Sequence, residues 1–520
     1  MSEGRDWSIP AVRWIFGSAV LLHVLLWTFG PFFFLPNYRL DTVEMLVIGQ
    51  NWVLSTNKHP AMQSWIVESL GWLTHHAEWT PYLAAQLSVV FSVLGIWCMA
   101  SRCFSRKVAV LVAIAMLGFY YFNYESIQYN NKSFYRAFWI WAAYFLSCAV
   151  EENRLRYWIL TGICLAAGLY CNLMMFLLVL TILVYMALDP DARKYWKTSG
   201  PYVSTGVCFL LFLPLFVWIV QNDFPQLEHA RRSISEDAGG IGGRLVHPLA
   251  FLGAQVLSWI TIVLPLLPLT GFHWRWKRGI WGNSRQRLVF LLLWVPLLVE
   301  LGTGMVTGGS ISSGKGCQNW LFFLIFLFSV VRIRTEESAY RRAVVLCFAN
   351  ILFLFTLSVA VVVLGALRGT GTSRILYPGK ALAGVVEQAW QEQTDAPLAW
   401  VRGDHWTAGC VSVYASSRPR VWSSLWSDEE TFGRTGGMLV WIEPTPEAPT
   451  RRYSLLDWYG TDLYYGEADE PTEWLKKFPQ AVVLPDVVLE HHYGRQRPSI
   501  KVGMAYVPPE VWEPGHALQP

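Results

Sequence analysis

The feature that most constrains this chain is a succession of about eleven long apolar stretches, each near the length a helix needs to cross a bilayer core. They run near Val12–Phe34, Pro81–Ala100, Lys107–Phe122, Ser133–Val150, Tyr157–Tyr170, Leu173–Leu188, Pro201–Val220, Pro248–Leu269, Leu288–Thr307, Trp320–Val331 and Ala343–Leu367. Backbone polar groups inside a membrane must be satisfied within the protein, so such a pattern predicts a mainly α, polytopic helical bundle. Composition agrees. Of 520 residues, 53% are hydrophobic and only 15% charged, against about 25% in soluble domains. The first stretch is too long for the apolar region of a cleaved leader and lacks a small-residue cleavage site before Pro36, so it is expected to remain as a span.

Alternate connections separate cleanly by charge. One set carries Arg102, Arg106 and Lys107; Glu151–Arg156; Asp191–Lys197; His273–Arg278 with Arg285 and Arg287; and Arg332, Arg334, Arg341 and Arg342. Retained positive charge marks the cytoplasmic side. The N-terminus is therefore expected in the cytoplasm, and the opposite set faces outward: Asn37–Thr80, Asn123–Lys132, Asn222–His247 and the Gly/Ser-rich connection around Gly308–Cys317. With a net charge of only +4, no nucleic-acid partner is expected.

The chain divides into a membrane domain over 1–367, with a first outward loop at 37–80, and a small outward α/β domain over 368–520. The tail shows a helical start at Ala381–Gln391 and strand-like runs at Leu398–Arg402, Met438–Glu443, Ala481–Pro485 and Val502–Val507. The nine cysteines form no CxxC pair or Cys/His cluster and read as small buried hydrophobes.

Asp41 and Glu44 follow the first span three residues apart, on one face if the segment is helical. Asp41 suits a general base, although an Asp before a helical run is also an ordinary helix cap. Asn57-Lys58-His59-Pro60 returns to the same side and supplies a cation; alone, Lys58 reads as a solvated interfacial lysine. Further outward groups are Glu125, Asn130 and Lys132 in one loop, Asp223, His229, Arg231, Arg232 and Arg244 in another, and Lys315 in a third. Together they suit binding of a phosphate-linked lipid: Lys58, Arg231, Arg232, Arg244 and Lys315 toward phosphate, and His59, Glu125, Asn130, Asp223 and His229 toward the rest of the substrate. The alternative is that the loops are simply solvated. His59 and His229 lack HxxE or HExxH spacing, so no cofactor is called for, and a divalent metal with Glu44 or Glu125 stays open. The run Gly239-Gly240-Ile241-Gly242-Gly243 reads as a mobile lid or a plain linker.

This pattern resembles the bacterial branch of the protein O-mannosyltransferase-like, GT-C glycosyltransferases, which includes the lipid A aminoarabinose transferases. The carriers are Asp41-Thr42-Val43-Glu44, Asn57-Lys58-His59-Pro60, Gln128-Tyr129-Asn130 and Trp218–Phe224, with weaker likeness at Tyr377–Ala383 and Gly403–Trp406. The chain departs from the family in Thr42, where a second acid is common, in His59 between Lys58 and Pro60, and in Asn172, where many members place a lysine. The resemblance implies a bacterial inner-membrane enzyme that moves a sugar, with inversion, from a polyprenyl-phosphate donor to an envelope acceptor, a glycolipid such as lipid A or lipopolysaccharide core, or a protein. It further implies Asp41 as base and Lys58 at the phosphate. Two other classes stay in view. A lipid-linked glycan transporter predicts ionisable residues deep within spans and inverted repeats, and a noncatalytic assembly subunit predicts that Asp41 is dispensable.

Overall fold

The computed structural model describes residues 8–236, 240–270, 282–310, 312–334, 336–367, 374–423, 429–443, 471–490 and 499–509. The basic run His273–Arg278 and Gly239 lie outside them. Two compact units emerge, one from 1–30, 54–63 and 81–358, the other from 31–53, 64–80 and 359–520.

Among the described residues six helices are long and apolar enough to cross a membrane: Pro10–Phe34, Thr80–Cys103, Gly200–Gln221, Gly242–Thr270, Ser284–Thr307 and Glu337–Leu364. Two further expected stretches are bent. Arg106–Met116 turns by 71° into Tyr120–Ile127, and Leu173–Leu188 turns by 89° into Pro190–Lys197. The second bend has a clear local cause. Asp189 precedes proline and is extended, and its carboxylate accepts from the N–H groups of Asp191 and Ala192, both at 2.9 Å, capping a new helix in a new direction. The remaining three stretches form Ser133–Glu152, Leu155–Cys171 and the eight-residue helix Phe323–Val330. The glycine run, expected as a lid or linker, instead opens the helix Gly240–Val263 from its second glycine onward.

The first unit is centred on Arg106–Met116, whose residues Val108–Met116 are all buried. Apolar side chains such as Leu210, Leu298 and Phe353 are exposed on the outer helices, the arrangement expected where lipid is the solvent. The basic residues at one end are paired: Arg102 with Glu151 (2.6 Å) and Glu152 (2.8 Å), Arg285 with Glu151, Arg287 with Asp189 and Asp191, and Lys107 with Glu337 (2.7 Å).

The second unit holds a five-stranded sheet: β1 (Trp400–Arg402), β2 (Arg420–Val421), β3 (Gly437–Ile442), β4 (Val482–Leu489) and β5 (Ile500–Val507) in the order β2-β1-β3-β5-β4. β1 runs parallel to β2 and β3, while β5 is antiparallel to both β3 and β4. Trp400, Phe432, Leu439, Trp441, Phe478, Ala505 and Val507 form its core. The helix Gly379–Gln391 buries Leu382, Ala383, Val386 and Trp390, and the Trp390 ring meets Tyr506 at 5.2 Å. All nine cysteines are free thiols, six of them buried.

Candidate active site

Asp41 and Glu44 lie on the helix Leu40–Gln50. The helix N-cap is Arg39, which makes no side-chain capping bond, so Asp41 is in the first turn and is not the cap. Both carboxylates are half-buried, while Thr42, Val43, Met45, Val47, Ile48 and Gly49 between and beyond them are buried. A negative charge in the first turn also interacts favourably with the helix dipole.

What holds this helix is the tail. Gly409 packs against Val43 so closely that a Cβ on the glycine would stand 2.6 Å from Val43 Cγ1. Ser412 Oγ donates to Gln50 Oε1 (3.3 Å). Just before the helix, Asn37 Nδ2 donates to the Arg374 carbonyl (3.2 Å), and the Tyr38 N–H donates to Tyr414 Oη (2.8 Å), with the two tyrosine rings stacked at 5.3 Å. Glu68, nearly fully buried, binds Arg418 (3.1 Å), and Lys380 binds Glu78 (2.6 Å). Burial, then the nearby Arg418 charge, holds the His76 imidazole below its ordinary range despite Glu68.

Lys58 and His59 belong to the other unit. Their turn is organised by Thr56, whose Oγ1 accepts the N–H groups of Lys58 (3.2 Å) and His59 (3.3 Å) and donates to the His59 carbonyl (3.1 Å). Ser55 and Pro60 close it as an isolated antiparallel bridge. Gln226, buried on the helix Pro225–Glu236, donates to Ser55 Oγ (2.8 Å) and the Thr56 carbonyl (2.7 Å). Gln63 then ties the same segment to the loop ahead of Ser133. It donates to the Asn131 carbonyl (3.2 Å), its own carbonyl accepts from Tyr129 Oη (2.8 Å), and its Oε1 accepts the Phe134 N–H (3.3 Å).

The other expected residues fall into two groups. Asp223, His229, Arg231 and Arg232 are exposed; both arginines contact Glu228, at 3.8 and 2.8 Å, and Asp223 sits in a left-handed turn (φ 58°) between two helices. Arg244, also exposed, runs along Gly308. Glu125 and Lys315 belong to a second assembly around the turn Ser313–Gly316. There Tyr121 Oη donates to the Ser313 carbonyl (2.6 Å), Gln255 Nε2 donates to the same carbonyl (2.8 Å), and Trp320 Nε1 donates to Gln255 Oε1 (3.2 Å). Asn130 is buried, and its Oδ1 accepts the Lys132 N–H (2.9 Å), which makes it a turn former.

Two buried ionisable side chains near that turn are not among the residues expected from the sequence. Glu300 accepts from Gln318 Nε2 and Asn319 Nδ2, both at 2.6 Å, and Arg136 is buried in the first turn of Ser133–Glu152. A lone acid or base inside an apolar run is the signal that singles out each of them. Among the described residues no group of three or more His, Cys, Asp or Glu is gathered to hold a metal ion.

Residues 58–218 match the family model described as dolichyl-phosphate-mannose-protein mannosyltransferase. The structure also superposes on ArnT from Cupriavidus metallidurans bound to undecaprenyl phosphate, with TM-score 0.60 and 12% identity over 94% of this chain and 97% of that one. The chain has the ArnT fold. The apo form of ArnT superposes with TM-score 0.56, again at 12% identity, over 95% of this chain and 98% of that one. No curated protein sequence matches. The family resemblance read from the sequence is thus borne out by the family model and by the ArnT fold.

Proposed function

We propose that this chain is an integral-membrane glycosyltransferase that moves one sugar from a polyprenyl-phosphate donor to an acceptor of the bacterial envelope on the periplasmic face. The observation that carries this reading is the ArnT likeness along nearly the whole chain, to a protein bound to undecaprenyl phosphate, together with the mannosyltransferase match over residues 58–218. Residues 1–367 form the membrane domain and 368–520 the periplasmic one, with the N-terminus cytoplasmic. Lipid A or lipopolysaccharide core is the preferred acceptor and protein the second, on family analogy alone.

In this reading Asp41 takes the proton of the acceptor hydroxyl as its oxygen attacks the anomeric carbon. The bond from that carbon to the phosphate oxygen breaks with inversion, and the polyprenyl phosphate leaves with the electron pair. Negative charge on the phosphate grows toward the transition state, so a fixed cation there lowers the barrier more than it tightens ground-state binding. Lys58 supplies it, on a turn whose backbone is fixed by Thr56 and Gln226. Glu44 shares the Asp41 face and helps orient the acceptor.

The test is sugar transfer by purified protein in nanodiscs with extracted polyprenyl-phosphate sugars and envelope acceptors. Asp41→Asn is expected to lower the transfer rate by about 10²–10⁴-fold while donor binding persists; normal transfer by that variant overturns the reading. One observation favours the transporter alternative, the buried ionisable pair Glu300 and Arg136 within apolar helices. Both, however, lie within two turns of a helix end, Glu300 before Thr307 and Arg136 after Ser133, which suits a site at one membrane face better than a path across.

A further inference from the structure

Lys132 and Arg136 stand one turn apart where the helix Ser133–Glu152 begins, and the Arg136 N–H donates to the Lys132 carbonyl (3.3 Å). Spacing of four residues puts the two side chains on one face. That face meets the turn Ser313–Gly316. Lys132 Nζ lies 2.6 Å from the place a Cβ on Gly314 would take, and Glu125 Oε1 lies 3.6 Å from the same point. Glycine at 314 is therefore what leaves room for the ammonium group. Next along the chain, burial pushes the Cys317 thiol up, the charges of Arg136 and Lys132 draw it down, and Glu300 and Glu125 push it up again. Two cations and two acids thus surround one clamped turn.

Arg136 is 1% exposed, and among the described residues nothing accepts a hydrogen bond from its Nε or Nη1. Its guanidinium carbon lies 5.8 Å from the centre of the Phe122 ring, which offers a π face and no acceptor atom. The Glu300 carboxylate is already engaged by Gln318 and Asn319. A guanidinium withdrawn from water with donors unmet is among the least favourable arrangements in a protein interior, and its forked donors match two oxygens of a carboxylate or a phosphate.

We infer that Lys132 and Arg136 form a phosphate-binding pair over the Ser313–Gly316 turn, and that the headgroup of the lipid-linked substrate supplies the oxygens that Arg136 Nε and Nη1 lack. The inference rests on the glycosyltransferase reading for the identity of the lipid, and adds to Lys58 two cations that the family motifs do not point to. Gln63 links the two regions, since it bonds to Asn131 beside Lys132 and sits in the segment that carries Lys58. The Glu125 carboxylate, 3.6 Å from the place a Cβ on Gly314 would take, lies on the same side of the turn as the Lys132 ammonium.

The experiment uses the full chain in nanodiscs and three probes: undecaprenyl phosphate, undecaprenol, and inorganic phosphate. Arg136→Gln and Lys132→Gln are each expected to weaken binding of undecaprenyl phosphate by about ten- to a hundredfold, the worth of a charge-assisted hydrogen bond, with binding of undecaprenol unchanged. Equal affinity of both variants and wild type for undecaprenyl phosphate overturns the pair while leaving the transferase reading intact. Binding of inorganic phosphate that depends on Arg136 and Lys132, with no binding of the lipid phosphate, supports the anion site and removes the proposed donor. If Arg136→Gln fails to fold, Lys132→Gln decides alone, and Gly314→Ala, which crowds the Lys132 ammonium, is expected to weaken the same binding.

Discussion

The helix bearing Asp41 and the turn bearing Lys58 follow each other in one connection, yet they are built by different means. The Asp41 helix is secured by Gly409 and Ser412 on it and by Tyr414 just before it, residues more than 350 positions away in the tail. The Lys58 turn is secured by its own Thr56 and by Gln226 and Gln63 of the membrane unit. Proximity in sequence therefore says little about mechanical dependence. In the proposed reaction the acid and the cation can be disturbed one at a time.

The comparison breaks most sharply at the side chains themselves. Asp41→Asn is expected to lower the transfer rate by about 10²–10⁴-fold with donor affinity kept, measured by transfer and by undecaprenyl phosphate binding in parallel. Lys58→Gln should cost about 10²–10³-fold, mostly in kcat, if the cation acts on the leaving phosphate; a change confined to KM would assign it to binding only. Gly409→Ala places a methyl group against Val43 and should cost about 1–3 kcal/mol of stability. It is expected to slow transfer without weakening binding of lipid phosphate, whereas Gln226→Ala should slow transfer and weaken that binding as well. That second substitution removes two bonds to the Lys58 turn, worth about 1–3 kcal/mol, and titration with the lipid probe separates the two cases.

The smallest expected effect is on pH. His76 has a folded pKa held below its ordinary 6.5 by burial and Arg418, so its contribution to stability is complete above that value and is lost as the pH falls below it. Glu387 acts in the same sense at lower pH. Burial pushes its carboxyl up, but bonds from Ser416 and Ser417 outweigh this and leave it below its ordinary 4.5, so its contribution is lost as pH falls below that value. Thermal melts from pH 8 to below pH 4 should show the second unit weakening in two steps, the first absent in His76→Gln.

Much of the architecture was legible because apolar length and alternation are local signals. The helix Gly379–Gln391 and the strands β1, β3, β4 and β5 fall where Ala381–Gln391 and the four strand-like runs were expected. The two-residue β2 carries too little pattern to be seen, and the bend at Asp189-Pro190 reads as an interruption between spans until the capping bonds are known. At the site, the helix that gives Asp41 and Glu44 a shared face followed from their spacing. Arg136 and Glu300 were passed over because one charge in an apolar run is weighed by its neighbours in space, and spacing along the chain does not reveal those. The glycine run misled for a related reason: helix packing near Gly308, where a Cβ on Gly243 would meet the Gly308 carbonyl oxygen at 2.6 Å, favours small residues within a helix.

The dependence of Leu40–Gln50 on Gly409, Ser412 and Tyr414 also sets an order of events during synthesis. At about 5–20 residues per second, the ribosome needs tens of seconds after making Asp41 before it delivers the segment that completes its surroundings. A nascent or truncated chain would then present its membrane helices and its Lys58 turn long before its acid is in place, so the full-length product alone would carry both halves of the proposed chemistry.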